Sequence, residues 1–151
     1  MIKEELIKLA REARSNAYAP YSQFRVGAAV LGINGKAYTG CNIENASYGM
    51  TVCAERVAIF KMVSEGCYKF KALAVVGSEK EDGAPCLACR QVMTEFCESF
   101  ETPVYCGGPD NKIFEHTMNE ICPFPFVMFE KKGINQIVCT HSLAMPSNVL
   151  G

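Results

Sequence analysis

The fold is decided by residues 53–66, which have the sequence CAERVAIFKMVSEG. The apolar middle of this stretch predicts a buried helix, and Gly66 is a residue type that commonly ends one. Downstream, the apolar run 70–77 predicts a strand, helical spacing returns over 86–100, and 102–106 predicts another strand. Strands that alternate with helices indicate parallel crossovers, so this part of the chain is predicted to be α/β.

Upstream of that stretch, the chain is predicted to open with a helix and a β-hairpin. Apolar residues recur at three-to-four spacing over 2–17, which predicts a helix with one buried stripe, and Ser15-Asn16 followed by Pro20 marks its end. Residues 24–33 and 36–41 have the composition of strands, and Asn34-Gly35 between them favours a tight hairpin turn.

The carboxyl-terminal part has a weaker pattern. A short helix is predicted over 117–121, Pro123 and Pro125 break it, and 136–140 is predicted to be a strand. No internal repeat or Pro/Gly-rich linker divides the 151 residues, so one core and one domain are expected.

Composition disfavours several classes of partner. The net charge is -1 and no Lys/Arg cluster exceeds Lys131-Lys132, which argues against nucleic acid, since cations supply most of that affinity. No run of about 18 apolar residues is present, so no membrane span is predicted, and the first residues lack a signal-peptide pattern. The nine cysteines are expected to be free thiols or metal ligands in a reducing compartment, which predicts a cytoplasmic protein.

Three cysteines form a candidate zinc site. Cys86 and Cys89 are three positions apart at a predicted helix start, a spacing that suits one tetrahedral ion. Alone, this pair is equally consistent with a redox couple or two buried small hydrophobic residues. Cys53 favours zinc, because it opens the other helix, where unpaired N–H groups and the helix dipole stabilise a thiolate.

Two neighbours of Cys53 suggest catalysis. Three protein ligands leave a tetrahedral zinc with one open position for water, the arrangement of a catalytic site. Arg56 is placed to hydrogen-bond the sulfurs and offset their negative charge. Glu55 is placed to move protons between the water and a substrate, although the same residue could be a solvated glutamate that stabilises the helix dipole.

Together these residues match a known signature: a ligand, one residue, a glutamate, and later Pro-Cys-x-x-Cys. Beyond it, the chain resembles the small homotetrameric cytidine deaminases in several blocks that span about residues 20–95 in matching order. The blocks are Pro20-Tyr21-Ser22, Phe24, Val26 to Ala29, Gly40 to Gly49, Cys53 to Arg56 and Cys86 to Gln91.

This resemblance implies a three-layer α/β/α sandwich around a mixed, mostly five-stranded sheet. It implies hydrolytic deamination of cytidine and deoxycytidine in pyrimidine salvage, with Zn2+ held by Cys53, Cys86 and Cys89 and protons moved by Glu55. It also implies that Phe24 packs against the pyrimidine, Asn42 and Glu44 bind ribose hydroxyls, and backbone groups at Ala54 and Cys86 bind the base edge. Alternatively, Asn42 shapes its loop and Phe24 belongs to the core.

The same resemblance implies a homotetramer in which an aromatic side chain from a neighbouring subunit closes each pocket. Residues 120–126 are similar to the family's terminal segment and point to Phe126, with Phe124 as the alternative. Residues 1–126 are therefore predicted to form the deaminase-like domain, and 127–151 an extension of unassigned role that packs on it.

The other cysteines are predicted to be buried small residues or free thiols: Cys41, Cys67, Cys97, Cys106, Cys122 and Cys139. His116 and His141 lack ligand-like spacing, so structural or surface roles are expected. Two other functions remain open. One is deamination of another aminopyrimidine nucleoside, such as a blasticidin-type antibiotic, and the other is a structural zinc module in which a fourth ligand closes the site.

Overall fold

The computed structural model describes residues 3–77 and 83–127. Four helices and five strands follow one another in these ranges. They are α1 (Lys3–Arg14), β1 (Gly27–Gly32), β2 (Ala37–Cys41), α2 (Ala54–Ser64), β3 (Phe70–Val76), α3 (Leu87–Phe96), β4 (Pro103–Gly107), β5 (Ile113–Thr117) and α4 (Met118–Ile121). Within these ranges no helix has the length and apolarity needed to cross a membrane.

The five strands form one mixed sheet in the order β2-β1-β3-β4-β5. Only β3 and β4 are parallel neighbours, and the other pairs are antiparallel. This confirms the predicted mixed five-stranded sheet. The fifth strand is 113–117, which the sequence analysis did not predict, whereas the predicted strand 136–140 lies outside the described residues. β5 is a partly exposed edge strand, so it lacks the apolar run that marks a central one.

Helices cover both faces of the sheet and make the three predicted layers. Alternate residues of a strand point to opposite faces, so Ala29 and Leu31 pack with α1 residues while Ala28 and Val30 pack with residues of α2 and α3. Gly40 of β2 permits this packing, because a Cβ there would lie 2.7 Å from the carbonyl oxygen of Ala54 at the start of α2. The sheet and α2 therefore meet backbone to backbone at the point where the zinc-site candidates begin.

Two predicted element boundaries need correction. α1 ends at Arg14, directly before the predicted end at Ser15-Asn16, but β1 begins at Gly27 rather than Phe24. α3 was predicted to run to residue 100 but ends at Phe96. There the chain turns back to β3, where Cys97 bridges Phe70 and the Glu98 N–H donates to the Phe70 carbonyl over 2.8 Å. Pairing with the sheet thus ends a helix whose apolar spacing alone would continue.

The additional cysteines and histidines mostly occupy the structural positions expected. Cys97 and Cys106 are buried, and Cys41 and Cys122 are partly exposed free thiols. Cys67 is buried but disulfide-bonded, which corrects the prediction that it is free. His116 lies near the surface, with Nδ1 3.9 Å from Glu120 Oε2, and the other predicted positions, Cys139 and His141, lie outside the described residues.

Candidate active site

The three predicted metal ligands lie at the starts of two adjacent helices. Cys53 is the residue that caps α2, and Cys86 caps α3 in the same way. Cys89 lies in the first turn of α3 and is fully buried. Because α2 and α3 pack on the same face of the sheet, the fold brings residues 33 positions apart in the sequence into contact.

The sulfur geometry fits zinc. The Sγ atoms of Cys53 and Cys86 are 3.9 Å apart, and all three Sγ atoms lie within 4.8 Å of one another. Tetrahedral coordination with Zn–S bonds of about 2.3 Å separates sulfurs by about 3.8 Å, close to this spacing. Within residues 3–77 and 83–127, no fourth Cys, His, Asp or Glu joins the cluster. The thiols therefore form a site for zinc with three protein ligands, the number typical of catalytic zinc.

The electrostatics of the cluster favour a thiolate at Cys53. Its pKa is lowered to about 5 by a hydrogen bond with Cys89 and by the Arg56 guanidinium, against the opposing effect of burial. The Arg56 Nη2 lies 3.4 Å from Cys53 Sγ. The hydrogen bond between Cys89 and Cys53, together with burial, raises the pKa of Cys89. Arg56 is therefore a resident cation beside the sulfurs, as predicted from its spacing.

Glu55 is held in a nearly dry environment beside the thiols. Glu55 is only 4% exposed, although it borders a cavity. Burial is the main cause that raises the pKa of its carboxyl, and the nearby Cys53 thiolate raises it further. A carboxyl with a raised pKa takes up a proton more readily than an exposed glutamate does, which suits a proton carrier better than a helix-dipole partner.

A cavity of about 450 Å³ opens in front of the thiols. Its described lining combines six predicted site residues with seven others. The predicted ones are Phe24, Asn42, Glu44, Cys53, Glu55 and Cys86, and the others are Ser22, Val26, Thr51, Val75, Gly77, Gly83 and Ala84. No lysine or arginine belongs to this described lining. The cavity thus has a sulfur-rich end and a polar end that carries one carboxylate, Glu44.

Comparison with known proteins assigns this arrangement to a family. Residues 1–105 match the family described as "Cytidine and deoxycytidylate deaminase zinc-binding region". The chain belongs to this family. It is 50% identical over 123 residues to a cytidine deaminase of Sporosarcina psychrophila, a match that covers 82% of this chain and 90% of the relative. It is 51% identical over 126 residues to a cytidine deaminase of Halalkalibacterium halodurans, covering 83% and 95%.

The fold also matches that of a cytidine deaminase. The crystal structure of a cytidine deaminase from Burkholderia pseudomallei superimposes with a TM-score of 0.79 at 42% identity, covering 83% of this chain and all of that one. The family assignment therefore rests on sequence and on three-dimensional structure together.

In this family member, the side chains of Asn42 and Glu44 form hydrogen bonds with backbone groups of the same chain. The Asn42 side chain accepts a hydrogen bond from the Val26 N–H and donates one to the Phe24 carbonyl, both over 2.8 Å. Glu44 Oε1 accepts from the N–H groups of Tyr21 and Ser22 over 2.9 and 3.1 Å. Both side chains thus shape the turn before β1, as the alternative interpretation of Asn42 expected, while they also line the cavity.

Phe24 is a cavity wall rather than a core residue. It is 49% exposed, and its ring lies against Gly77 at the end of β3. A Cβ at Gly77 would be 3.1 Å from the ring's Cζ, which is tighter than ordinary packing. The absence of a side chain at residue 77 therefore lets the aromatic ring lie close to the strand end.

Two of the residues predicted to contact the substrate, Ala54 and Phe126, do not belong to the described lining of the cavity. Ala54 is buried at the start of α2 between the lining residues Cys53 and Glu55. Phe126 is 75% exposed and Phe124 is 96% exposed. The Gln91 amide donates to the Phe126 carbonyl over 2.8 Å and accepts from its N–H over 3.3 Å. This pair of bonds fixes the backbone of Phe126 to α3 and leaves its ring facing outward.

The sequence analysis missed several residues of the cavity. Ser22 and Val26 stand in blocks that carried the family resemblance, so their positions were available as a signal, but no role was assigned to them. Val75 and Gly77 come from the end of β3, and only the sheet topology shows that this end faces the thiols.

Proposed function

We propose that this protein is a zinc-dependent enzyme that deaminates cytidine and deoxycytidine to uridine and deoxyuridine, with release of ammonia. The observation that carries the proposal is the three-thiol cluster with Glu55 on the wall of the same cavity. A structural zinc module would need a fourth ligand, and the described residues supply none. The reaction suits a role in pyrimidine salvage.

Each residue beside the thiols has a distinct task in this proposal. Zinc, when bound by Cys53, Cys86 and Cys89, supplies an activated water for attack on C4 of the pyrimidine ring. Glu55 accepts one proton from that water and delivers it to N3 of the ring, then accepts the remaining proton from the hydroxyl bonded to C4 and delivers it to the leaving amine. Its burial keeps competing solvent away from the carboxyl and raises its pKa, which favours uptake of a proton from the water.

Arg56 tunes the metal site rather than the substrate. Three thiolates carry strong negative charge, which opposes the acidification of a zinc-bound water. The Arg56 guanidinium donates to Cys53 Sγ and withdraws part of that charge.

The polar end of the cavity binds the nucleoside. Phe24 offers its ring as a wall for the pyrimidine, and backbone groups at Ala54 and Cys86 bind the base edge. After its two bonds to the chain, the Asn42 amide still has one N–H and one lone pair to offer. Asn42 and Glu44 therefore bind sugar hydroxyls in addition to shaping their turn.

An unphosphorylated nucleoside fits this cavity better than a nucleotide does. A phosphate group calls for cationic or helix-terminal donors, yet the described lining contains neither lysine nor arginine, and its two helix starts, at Cys53 and Cys86, lie at the thiol end. Glu44 would repel a phosphate placed at the sugar end. Competition between cytidine and other aminopyrimidine nucleosides separates the alternative substrates.

The proposal includes a homotetramer in which Phe126 closes the pocket of a neighbouring subunit. Two observations support it: the ring is 75% exposed, and Gln91 holds the backbone beside it in place. Phe124 is more exposed but has no such anchor in the part of the chain that the structure describes. The cytoplasmic location remains a prediction from composition.

The test is release of ammonia and uridine from cytidine by the purified protein, measured together with zinc content. We expect about one zinc per chain, turnover of cytidine, and loss of turnover after a chelator removes the metal. Restoring zinc should restore activity. Protein that holds one zinc but releases no ammonia from cytidine or deoxycytidine would support the structural-module alternative instead.

A further inference from the structure

Ser22 connects the two substrate-facing groups at the polar end of the cavity. Its hydroxyl donates a hydrogen bond to Glu44 Oε2. The Ser22 hydroxyl oxygen in turn accepts a hydrogen bond from the Phe24 N–H over 3.0 Å. One hydroxyl group therefore joins the carboxylate assigned to the sugar and the backbone of the aromatic wall assigned to the base.

The backbone of Phe24 is held by two side chains, Ser22 at its N–H and Asn42 at its carbonyl. Asn42 holds the opposite side of Phe24 through its bond to the Phe24 carbonyl. Between Ser22 and Phe24, Gln23 has a φ of 59°, a left-handed conformation that costs free energy in a residue with a side chain. The hydrogen bonds on both sides hold this unfavourable backbone in place.

Hydrogen-bond counting shows what Ser22 does for Glu44. A carboxylate offers about four acceptor positions. Two backbone N–H groups and the Ser22 hydroxyl engage three of them, which leaves one on the cavity side for a ligand hydroxyl. These bonds also lower the pKa of Glu44, and the Ser22 hydroxyl is the largest cause. The carboxylate is thus both ionised and oriented.

We propose that Ser22 is a positioning residue that holds the Glu44 carboxylate and the Phe24 ring at the spacing of the sugar and base of one nucleoside. The inference rests on the proposed function of the site. The hydrogen bonds of Ser22 go to Glu44 and Phe24, and neither of these residues moves protons in the proposed reaction. Removal of the Ser22 hydroxyl should therefore weaken substrate binding and leave the chemical step almost unchanged.

The test compares three variants with the wild-type zinc enzyme. Ser22→Ala should raise KM for cytidine about three- to tenfold, the range expected for one partly solvated hydrogen bond to a charged group, with kcat changed less than about twofold. Ser22→Thr keeps the hydroxyl and should stay within about twofold of wild type in KM. Ser64→Ala removes a comparable serine bond, to the Lys61 carbonyl on the far end of α2, and should change neither constant.

A double-variant cycle distinguishes positioning from general loosening of the fold. Because Ser22 acts largely through Glu44, Ser22→Ala should raise KM clearly less in a Glu44→Ala background than in wild type. An unchanged KM in Ser22→Ala, a fall in kcat as large as the rise in KM, or full additivity with Glu44→Ala would each overturn the inference. These outcomes are ratios to an active wild type, so absence of any wild-type turnover would instead count against the proposed function.

Discussion

The two ends of the cavity are built in different ways. At the thiol end, Cys53, Glu55 and Cys89 sit in the first turns of two helices that pack on the central sheet, and Glu55 and Cys89 are almost completely buried. At the sugar end, Ser22 and Phe24 lie in an irregular turn, and Phe24 is 49% exposed. The first end is held by core packing and the second by side-chain hydrogen bonds to backbone.

This difference separates catalysis from recognition. The thiol end places the Glu55 carboxyl where water is scarce and beside the metal site, so electrostatic effects on this carboxyl are strong and small displacements are costly. The sugar end uses several solvated hydrogen bonds, each of modest net value. Changes at the thiol end should therefore reduce kcat severely, whereas changes at the sugar end should mainly raise KM.

The largest expected effect is that of Glu55→Gln. Glutamine keeps the shape of the side chain but cannot exchange protons, so kcat should fall by about 10²- to 10⁴-fold or more. The zinc content should remain near one per chain, because the three thiols are untouched. Steady-state kinetics of cytidine deamination and metal analysis on the same sample provide the measurement.

A matched control for this change is Glu101→Gln in an exposed turn away from the cavity, which should leave kcat unaltered. Undiminished deamination by Glu55→Gln would show that the buried carboxyl is not the proton carrier. It would also remove the contrast between a catalytic end and a recognition end.

An intermediate effect is expected from Gly77→Ala. The new Cβ would lie 3.1 Å from the Phe24 ring, so the ring must move by a few tenths of an ångström. Phe24 is partly exposed and can yield, so we expect KM to rise about three- to tenfold, equivalent to about 1 kcal/mol of binding free energy, with kcat largely kept. Kinetics with cytidine and a thermal-unfolding control on the zinc-loaded protein measure the effect.

Gly49→Ala serves as the comparison, since no atom outside its chain neighbours lies within 4 Å of a Cβ there. It should leave KM near the wild-type value. If Gly77→Ala lowered kcat as strongly as Glu55→Gln does, the two ends of the cavity would not be separable in the way proposed.

The thiol end was the more predictable of the two from sequence. Its information is local: Cys86 and Cys89 are three residues apart, and Glu55 and Arg56 follow Cys53 within one helical turn. Such spacing fixes relative geometry once the helices form. Contact between the two helix starts is not local, but the family resemblance implied it and the three-layer fold supplies it.

For the sugar end, the sequence identified some of the residues but not the hydrogen bonds between them. The family resemblance implied that Asn42 and Glu44 contact the ligand. Their bonds to Phe24 and Ser22, however, depend on how the segment after β2 packs against the turn before β1. No periodicity encodes such bonds. For a related reason, the end of α3 was misplaced: pairing of Cys97 with Phe70 is a tertiary contact that overrides helical spacing.

The smallest effect concerns the pH response of Glu44. Hydrogen bonds, first from the Ser22 hydroxyl and then from backbone N–H groups, hold its pKa below the ordinary value. A lowered folded-state pKa means that the carboxylate stabilises the turn at pH above its unfolded pKa, about 4.3, and that this contribution is lost as the pH falls through the folded value.

In an NMR titration, the amide signals of Tyr21 and Ser22 should therefore move with a shared midpoint below about 4.3, because both N–H groups donate to this carboxylate. Ser22→Ala should shift that midpoint upward, since it removes the largest cause of the lowering. A midpoint at or above the ordinary value in wild type would mean that the turn does not select the ionised carboxylate. The sugar end would then owe its order to packing, like the thiol end, and the contrast between the two ends would disappear.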